Sequence, residues 1–421
     1  MSGERKGRTG LTRRTVLRGV AKGAMGGVAG LALASSCKYR KELFLLRGAP
    51  KATTQNSEWA GARVQQYRPL GRTAFSMSDI SFGCASLNDP DVARRAVERG
   101  ITYFDTSPDY ADAASERTLG ESIRGTPRER LFLVSKFCTA GGHLANDTPV
   151  PEVVAAVEAS LRRLGTDYLD LVHIHAVNSL DRLMAPNIHE AFDRLRAAGK
   201  VRFLGVSSHT PDLETVMRHA VDSGRFDIIM AAYNFKNWPD LRTIFRDAHT
   251  RGVGVVAMKT LKGAHHSQLA DFTPSERESF AQAAFKWVLS NPHVSGLVVS
   301  ISQYAQIDEY LSASGKAVTG ADVALLEKYD RLIAREYCRP GCGECLAACP
   351  YDVPIDDILR YGMYAENYGR EREAMRQYAR LDAARRPDHC LDCAAPCQAH
   401  CPFELPIRTK LLRTDQRLRW C

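Results

Sequence analysis

Cysteine is nearly missing from the first 337 residues of this 421-residue chain, where only Cys37, Cys84 and Cys138 occur. The other nine lie between Cys338 and Cys421, so a need for sulfur is confined to the last quarter. Long apolar runs are missing too. A spanning helix needs roughly 20 strongly apolar residues, and the stretch from Gly19 to Ser36 is interrupted by glycines and Lys22. A polytopic membrane protein is excluded. Concentrated positive charge is also absent from the body of the chain: of the formal net charge of +9, residues 1–36 supply +6, leaving +3 for the rest. That balance gives no electrostatic footprint for nucleic acid, which is dropped as a partner. With 44% hydrophobic and 25% charged residues, disorder throughout and collagen are excluded as well. The length suits one large domain and a smaller one.

What is present begins with an address. Thr12-Arg13-Arg14-Thr15-Val16-Leu17 precedes the weakly apolar stretch and resembles the twin-arginine export signal of bacteria, against the alternative of a disordered basic tail. Cys37 follows Leu33-Ala34-Ser35-Ser36, which resembles a lipoprotein processing site with Ala34 where a larger aliphatic residue is usual. The resemblance implies a periplasmic protein, or one lipid-anchored at the membrane surface through Cys37. Residues 1–37 are thus a signal segment and 38–65 a linker.

From Tyr67 to about Leu311 short apolar runs alternate with amphipathic helical stretches. Strands are predicted at Ile80–Ala85, Thr102–Asp105, Leu131–Lys136, Leu169–His175, Val201–Val206, Ile228–Ala232, Val253–Met258 and Leu297–Val299. Helices are predicted over Asp91–Arg99, Glu116–Arg124, Pro151–Leu164, Ile188–Ala198, Pro211–Asp222 and Ser275–Ser290. Eight β/α units of this size predict an α/β fold, a (β/α)8 TIM barrel over residues 66–336. Chemistry in such a barrel sits at the C-terminal ends of its strands. Asp105, Lys136 and His175 close the second, third and fourth strands, and Ser207 and Ser208 follow the fifth.

The order of motifs resembles the aldo-keto reductase family across residues 67–313. Tyr67-Arg68-Pro69-Leu70-Gly71-Arg72-Thr73 looks like its opening hairpin, and Phe104-Asp105-Thr106-Ser107-Pro108-Asp109-Tyr110, with Ser115-Glu116 and Leu119-Gly120, like its Asp and Tyr motif. Leu169-Asp170-Leu171 leading to Ile174-His175, and Gly199-Lys200-Val201-Arg202 leading to Gly205-Val206-Ser207, follow at family spacing. The resemblance implies Tyr110 as proton donor, Lys136 as its activator, Asp105 as partner of Lys136, and His175 as orienter of a carbonyl. Hydride addition leaves negative charge on oxygen, so a positioned acid must deliver a proton. A phenol with an ordinary pKa of about 10 needs a neighbouring cation to do so at neutral pH. His173 reads as a deeper barrel residue.

The same resemblance implies a nicotinamide cofactor, NAD(P)(H), of unresolved phosphorylation state. Ser207 matches a carboxamide-binding position, Ser208 stands where asparagine is commoner, Met230 replaces a usual glutamine, and Met258 replaces a stacking aromatic ring. Ser300 and Gln306 stand where cations usually grip a 2′-phosphate, with Glu309 retained and Lys259 as a candidate substitute.

Residues 337–421 form the sulfur-rich part. Cys338, Cys342, Cys345 and Cys349, then Pro350, read C-x3-C-x2-C-x3-C-P; Cys390, Cys393, Cys397 and Cys401, then Pro402, read C-x2-C-x3-C-x3-C-P. Both resemble the bacterial ferredoxin run and imply two [4Fe-4S] clusters in a small, mainly helical ferredoxin-like domain. Disulfides and zinc are the competing readings. On the ferredoxin pattern the last cysteine of each run ligates the other cluster, although the helical linker from Ile355 to Leu381 leaves self-contained ligation open. Cys421 is not read as a ligand.

The sequence therefore predicts an exported oxidoreductase that transfers hydride between a nicotinamide cofactor and a small carbonyl or alcohol substrate, with clusters exchanging single electrons with a redox partner protein. No flavin-binding signal joins the two kinds of transfer. The alternative is an electron-transfer or docking protein with a degenerate barrel.

Overall fold

A computed structural model describes residues 57–236, 240–261, 279–339, 341–367 and 370–419. The signal segment, Cys37, most of the linker and Cys421 lie outside the described residues.

A hairpin of β1 (Tyr67–Pro69) and β2 (Ser76–Ser78) leads into β3 (Ile80–Gly83), α1 (Pro90–Glu98), β4 (Tyr103–Asp105), α2 (Ala114–Ser122) and β5 (Phe132–Lys136). A second, minimal hairpin pairs β6 (Cys138–Thr139) with β7 (Gly142–His143). Then come α3 (Val150–Leu164), β8 (Leu169–Ile174), α4 (Leu180–Leu183), α5 (Pro186–Ala197), β9 (Val201–Ser208), α6 (Leu213–Asp222), β10 (Ile228–Ala232), α7 (Arg242–Thr250) and β11 (Gly254–Met258). The alternation ends with α8 (Phe280–Leu289), β12 (Gly296–Ser300), α9 (Tyr304–Leu311) and α10 (Gly320–Ile333).

Eight parallel strands close a barrel in the order β3-β4-β5-β8-β9-β10-β11-β12. All eight predicted strands are present, with ends moved by up to two residues. The first stops at Gly83 because Cys84–Ser86 turns into a 3-10 helix. Burial on both faces explains why the strands read as apolar runs. Along β10, Ile229 and Ala231 pack outward under the helices, whereas Ile228 and Met230 fill the barrel interior. Phe132 anchors that interior, with ring centres 5.0 Å from Phe75 and 5.4 Å from Tyr103. Leu70 and Met77 of the first hairpin join the same cluster and plug the N-terminal face. The plug needs glycine at Gly71: φ is +53°, and a Cβ would lie 2.3 Å from the Gly254 nitrogen. With that end shut, the strand C-termini form the one mouth available for chemistry.

Helix ends follow local rules. Asp89 caps α1 and Pro90 occupies its first turn, Gly165 ends α3 at φ +65°, and capping boxes from Ser279 and Thr319 start α8 and α10.

Beyond α10 the chain is helical: α11 (Ile355–Asn367), α12 (Glu371–Ala379), α13 (Pro396–Ala399) and α14 (Ile407–Leu418). The stretch from Ile355 to Leu381, expected to be helical, holds two helices. They enclose a second, smaller core in which Ile355, Ile358, Tyr378, Ile407 and Leu411 surround buried Cys345, Cys390 and Cys397. So small a core is the kind that metal groups commonly reinforce. Among the described residues no helix is long and apolar enough to cross a membrane.

Candidate active site

Asp105 and Lys136 end adjacent strands, and their side chains, 5% and 1% exposed, meet at 2.7 Å. The Lys136 ammonium also donates to the Thr106 carbonyl at 2.7 Å. The second Asp105 oxygen, Oδ2, is buried without a partner. Burial pushes the Asp105 carboxyl up, with Lys136 working against it. Ser115 and Glu116 of the family-like motif turn out to be fastenings: Ser115 donates to the Cys84 carbonyl, and Glu116 accepts from Ser135 and Arg163, each at 2.6 Å.

Tyr110 lies on the loop after β4, immediately before three consecutive non-glycine residues in left-handed conformation, Ala111, Asp112 and Ala113. Such backbone is costly and collects at functional loops. The Lys136 ammonium stands 4.8 Å from the centre of the Tyr110 ring. It contacts the ring face, since its hydrogen bonds go to Asp105 and Thr106. Burial, Asp105 and Asp109 push the Tyr110 phenol well above its ordinary value. The expected lowering by Lys136 is not the outcome in this conformation: the ammonium is spent on its carboxylate, and desolvation wins.

His175 lies edge-on to Tyr110, with ring centres 6.1 Å apart. Burial, then the neighbouring His143 and Lys136, holds its imidazole well below the usual histidine range, hence neutral at pH 7. Three residues not singled out from the sequence surround it. Cys138 Sγ is 3.5 Å from His175 Nδ1, Asp109 Oδ2 is 3.7 Å from the same nitrogen, and His143 Nε2 is 3.8 Å from Asp109 Oδ2. Asp109 comes from the loop after β4 and Cys138 and His143 from the β6–β7 hairpin, and no pattern in the sequence joins the two segments. His173 is fully buried in the barrel wall; a Cβ on Gly205 would lie 2.5 Å from its ring.

The cofactor positions are used unevenly. Ser207 Oγ accepts from the Ala176 nitrogen at 3.2 Å, which leaves its own proton for a ligand. Ser208 donates to the Val177 carbonyl at 2.7 Å, and Met230 sits 2% exposed in the barrel interior beneath half-buried Met258. Gln306 Oε1 accepts from the backbone at Ser302 and Gln303 at the start of α9, and Glu309 has its carboxyl pushed up by burial.

Lys259 and Ser300 are met by the C-terminal region, which lies on the mouth. Tyr364 of α11 receives a hydrogen bond from Lys259, and Arg360 bonds His209 at 3.2 Å. Arg370 donates to Ser86 and, at 3.2 Å, to Ser300; Arg376 pairs with Asp112 at 2.6 Å. Although burial raises the Tyr364 phenol, Lys259 and Arg360 outweigh it and bring it below its ordinary value. The lowering of a phenol by a neighbouring cation, expected for Tyr110, is thus found at Tyr364.

The tail cysteines carry no disulfide among the described residues. The sulfurs that bear most strongly on Cys345 are those of Cys338, Cys401 and Cys342, and on Cys390 those of Cys349, Cys397 and Cys393. The grouping matches the crossed pattern of two-cluster ferredoxins. These sulfurs do not converge on a single-ion site, as zinc requires; the one group that does among the described residues lies at the mouth. Two sets of four thiols fit two cubanes.

Comparison with known proteins agrees with this geometry. Residues 86–274 match the aldo/keto reductase family, and residues 331–402 match a 4Fe-4S dicluster domain. L-galactose dehydrogenase of Arabidopsis thaliana is 28% identical over 284 residues, spanning 59% of this chain and 88% of its own. Methylglyoxal reductase YeaE of Escherichia coli (strain K12) is 42% identical over 130 residues, 30% of this chain and 41% of that protein. A solved aldo-keto reductase of Bacillus halodurans, in its holo form, is similar with a TM-score of 0.53 and 25% identity, over 62% of this chain and 95% of that one. The chain is an oxidoreductase that carries an aldo/keto reductase domain over residues 86–274 and a 4Fe-4S dicluster domain over residues 331–402.

Proposed function

We propose that the barrel interconverts a small carbonyl and its alcohol by hydride transfer with a nicotinamide cofactor, and that the two clusters serve a partner protein. The observation that carries this reading is the buried Lys136–Asp105 pair at 2.7 Å beneath Tyr110. Desolvating two charges costs several kcal/mol each, a poor bargain at a mouth where no charge develops.

NAD(P)H, when bound, supplies the hydride to the carbonyl carbon. Charge then grows on the carbonyl oxygen, and Tyr110, kept protonated by its buried setting, delivers a proton to it. Lys136 stabilises the phenolate left behind, and neutral His175 orients the same oxygen. Ser207 has a proton to give a carboxamide, and Arg370, on Ser300, supplies a cation near the position where the family resemblance expects one. The residues present therefore fit the cofactor, its phosphorylation state left to Arg370 and its neighbours. Relatives named for methylglyoxal and glyceraldehyde 3-phosphate reduction point to short, oxygen-rich carbonyl substrates. The clusters, when bound, supply one-electron transfer. Arg13 and Arg14 support export, and Cys37 attachment at a membrane surface.

A second reading, a docking or electron-transfer protein whose barrel no longer reduces carbonyls, is favoured by the placement of α11 and α12 on the mouth. Anaerobically purified protein, assayed for bound nucleotide and for NADH and NADPH oxidation with short aldehydes, separates the two. Turnover that Tyr110→Phe abolishes, with cluster absorbance unchanged, is the expected result. Intact clusters without nucleotide or turnover would leave only the second reading.

A further inference from the structure

We propose that Asp109, Cys138, His143 and His175 form a site for one divalent cation of the zinc type at the barrel mouth. Their ligand atoms all lie within 4.8 Å of one another. Three of the separations are 3.5 Å, 3.7 Å and 3.8 Å. A tetrahedral ion with bonds of about 2.0–2.3 Å holds its ligand atoms at about these spacings.

The fold brings the donors together from three segments: the loop after β4, the β6–β7 hairpin and the end of β8. That hairpin has two residues in each strand, and its register sets Cys138 directly opposite His143. Ser107 donates to Asp109 Oδ1, which leaves Oδ2 as the oxygen facing both imidazoles. One thiolate, two imidazoles and one carboxylate suit zinc or ferrous iron; magnesium and calcium take oxygen donors. Thiolate and carboxylate together balance a dication, although Arg182 and Lys136 lie close enough to weaken the charge balance.

Four protein donors close a tetrahedral shell, so the ion holds structure and does not react. It ties Asp109, and with it the adjoining Tyr110, to the hairpin and to β8. His175 ligating through Nδ1 keeps Nε2 protonated, which fixes the tautomer that can donate to a substrate oxygen. The site is compatible with the hydride reading and stands without it.

The test uses the full chain with both clusters, prepared anaerobically and dialysed against buffered zinc. Zinc and iron are counted by mass spectrometry, and the zinc shell is read by X-ray absorption. The expected result is about one zinc per chain, with one sulfur and three nitrogen or oxygen neighbours. His143→Ala and Cys138→Ser should each weaken zinc binding at least about tenfold while cluster absorbance persists. If Cys138→Ser does not fold, His143→Ala still decides, its side chain being 42% exposed. Extra iron in the same mixed shell also supports the site. No retained metal, equal affinity in the variants, or an all-sulfur shell would overturn it. Metal bound without carbonyl turnover would count against the hydride reading alone.

Discussion

Asp105→Asn removes one charge of a pair that water hardly reaches, the two side chains being 5% and 1% exposed. At the observed 2.7 Å and an effective dielectric of about 20, the attraction is about 6 kcal/mol. Asparagine keeps an acceptor for the ammonium, and the Thr106 carbonyl is retained. The loss should therefore fall at the low end of the 3–5 kcal/mol typical for breaking a buried pair, about 3 kcal/mol. That is a large share of the 5–15 kcal/mol that holds an ordinary domain together. Anaerobic urea titration followed by tryptophan fluorescence reads it, since Trp287 packs 5.2 Å from Tyr233 in the barrel wall. Asp105→Asn with Lys136→Met should regain most of the loss, because no uncompensated charge is then buried. A single-variant loss below about 1 kcal/mol, or a double variant no more stable than the single, would refute the view that Lys136 is held charged in a dry site.

Three further outcomes are expected. His209 has its imidazole held well below the usual range by burial and by Arg360, with Lys259 and His143 also facing it. The folded form resists protonation, so stability present above about pH 6.5 is lost as pH falls, by about 1 kcal/mol between pH 6.5 and 5.5; in urea titrations His209→Gln should lose about that much less stability over the same interval. Cys338→Ser combined with Cys401→Ser should keep about half the iron under crossed ligation, because both variants strike one cluster, whereas self-contained ligation predicts loss of both. Arg370→Ala should raise KM for the nicotinamide cofactor several-fold with little change in kcat, as its guanidinium joins Ser86 and Ser300 at the mouth; an unchanged KM would remove Arg370 from cofactor binding.

Barrel strands were legible because each is short, continuous and buried on both faces, and their ends moved by at most two residues, as at Cys84, where a 3-10 turn intervenes. Asp105, Lys136 and His175 were legible because a parallel barrel delivers every strand end to one face, whereas Tyr110, on the loop after β4, was legible only through the family resemblance. Met230 was harder: its position on β10 is certain from the pattern, but whether it faces a cofactor or the barrel filling depends on depth, and it fills. Ser208 likewise bonds the Val177 carbonyl, a partner 31 residues away that no motif encodes.

By itself, the order of residues determined the eight-stranded barrel, the polar strand ends and two sets of four sulfurs, since each depends on spacing within one segment. Tertiary structure alone decided which sulfurs share a set, that α11 and α12 lie on the mouth, and that Lys136 meets the face of Tyr110. It also gathered Asp109, Cys138, His143 and His175. The physical reason is that such contacts join segments tens to hundreds of residues apart, and only the closed, filled barrel sets the distances between them.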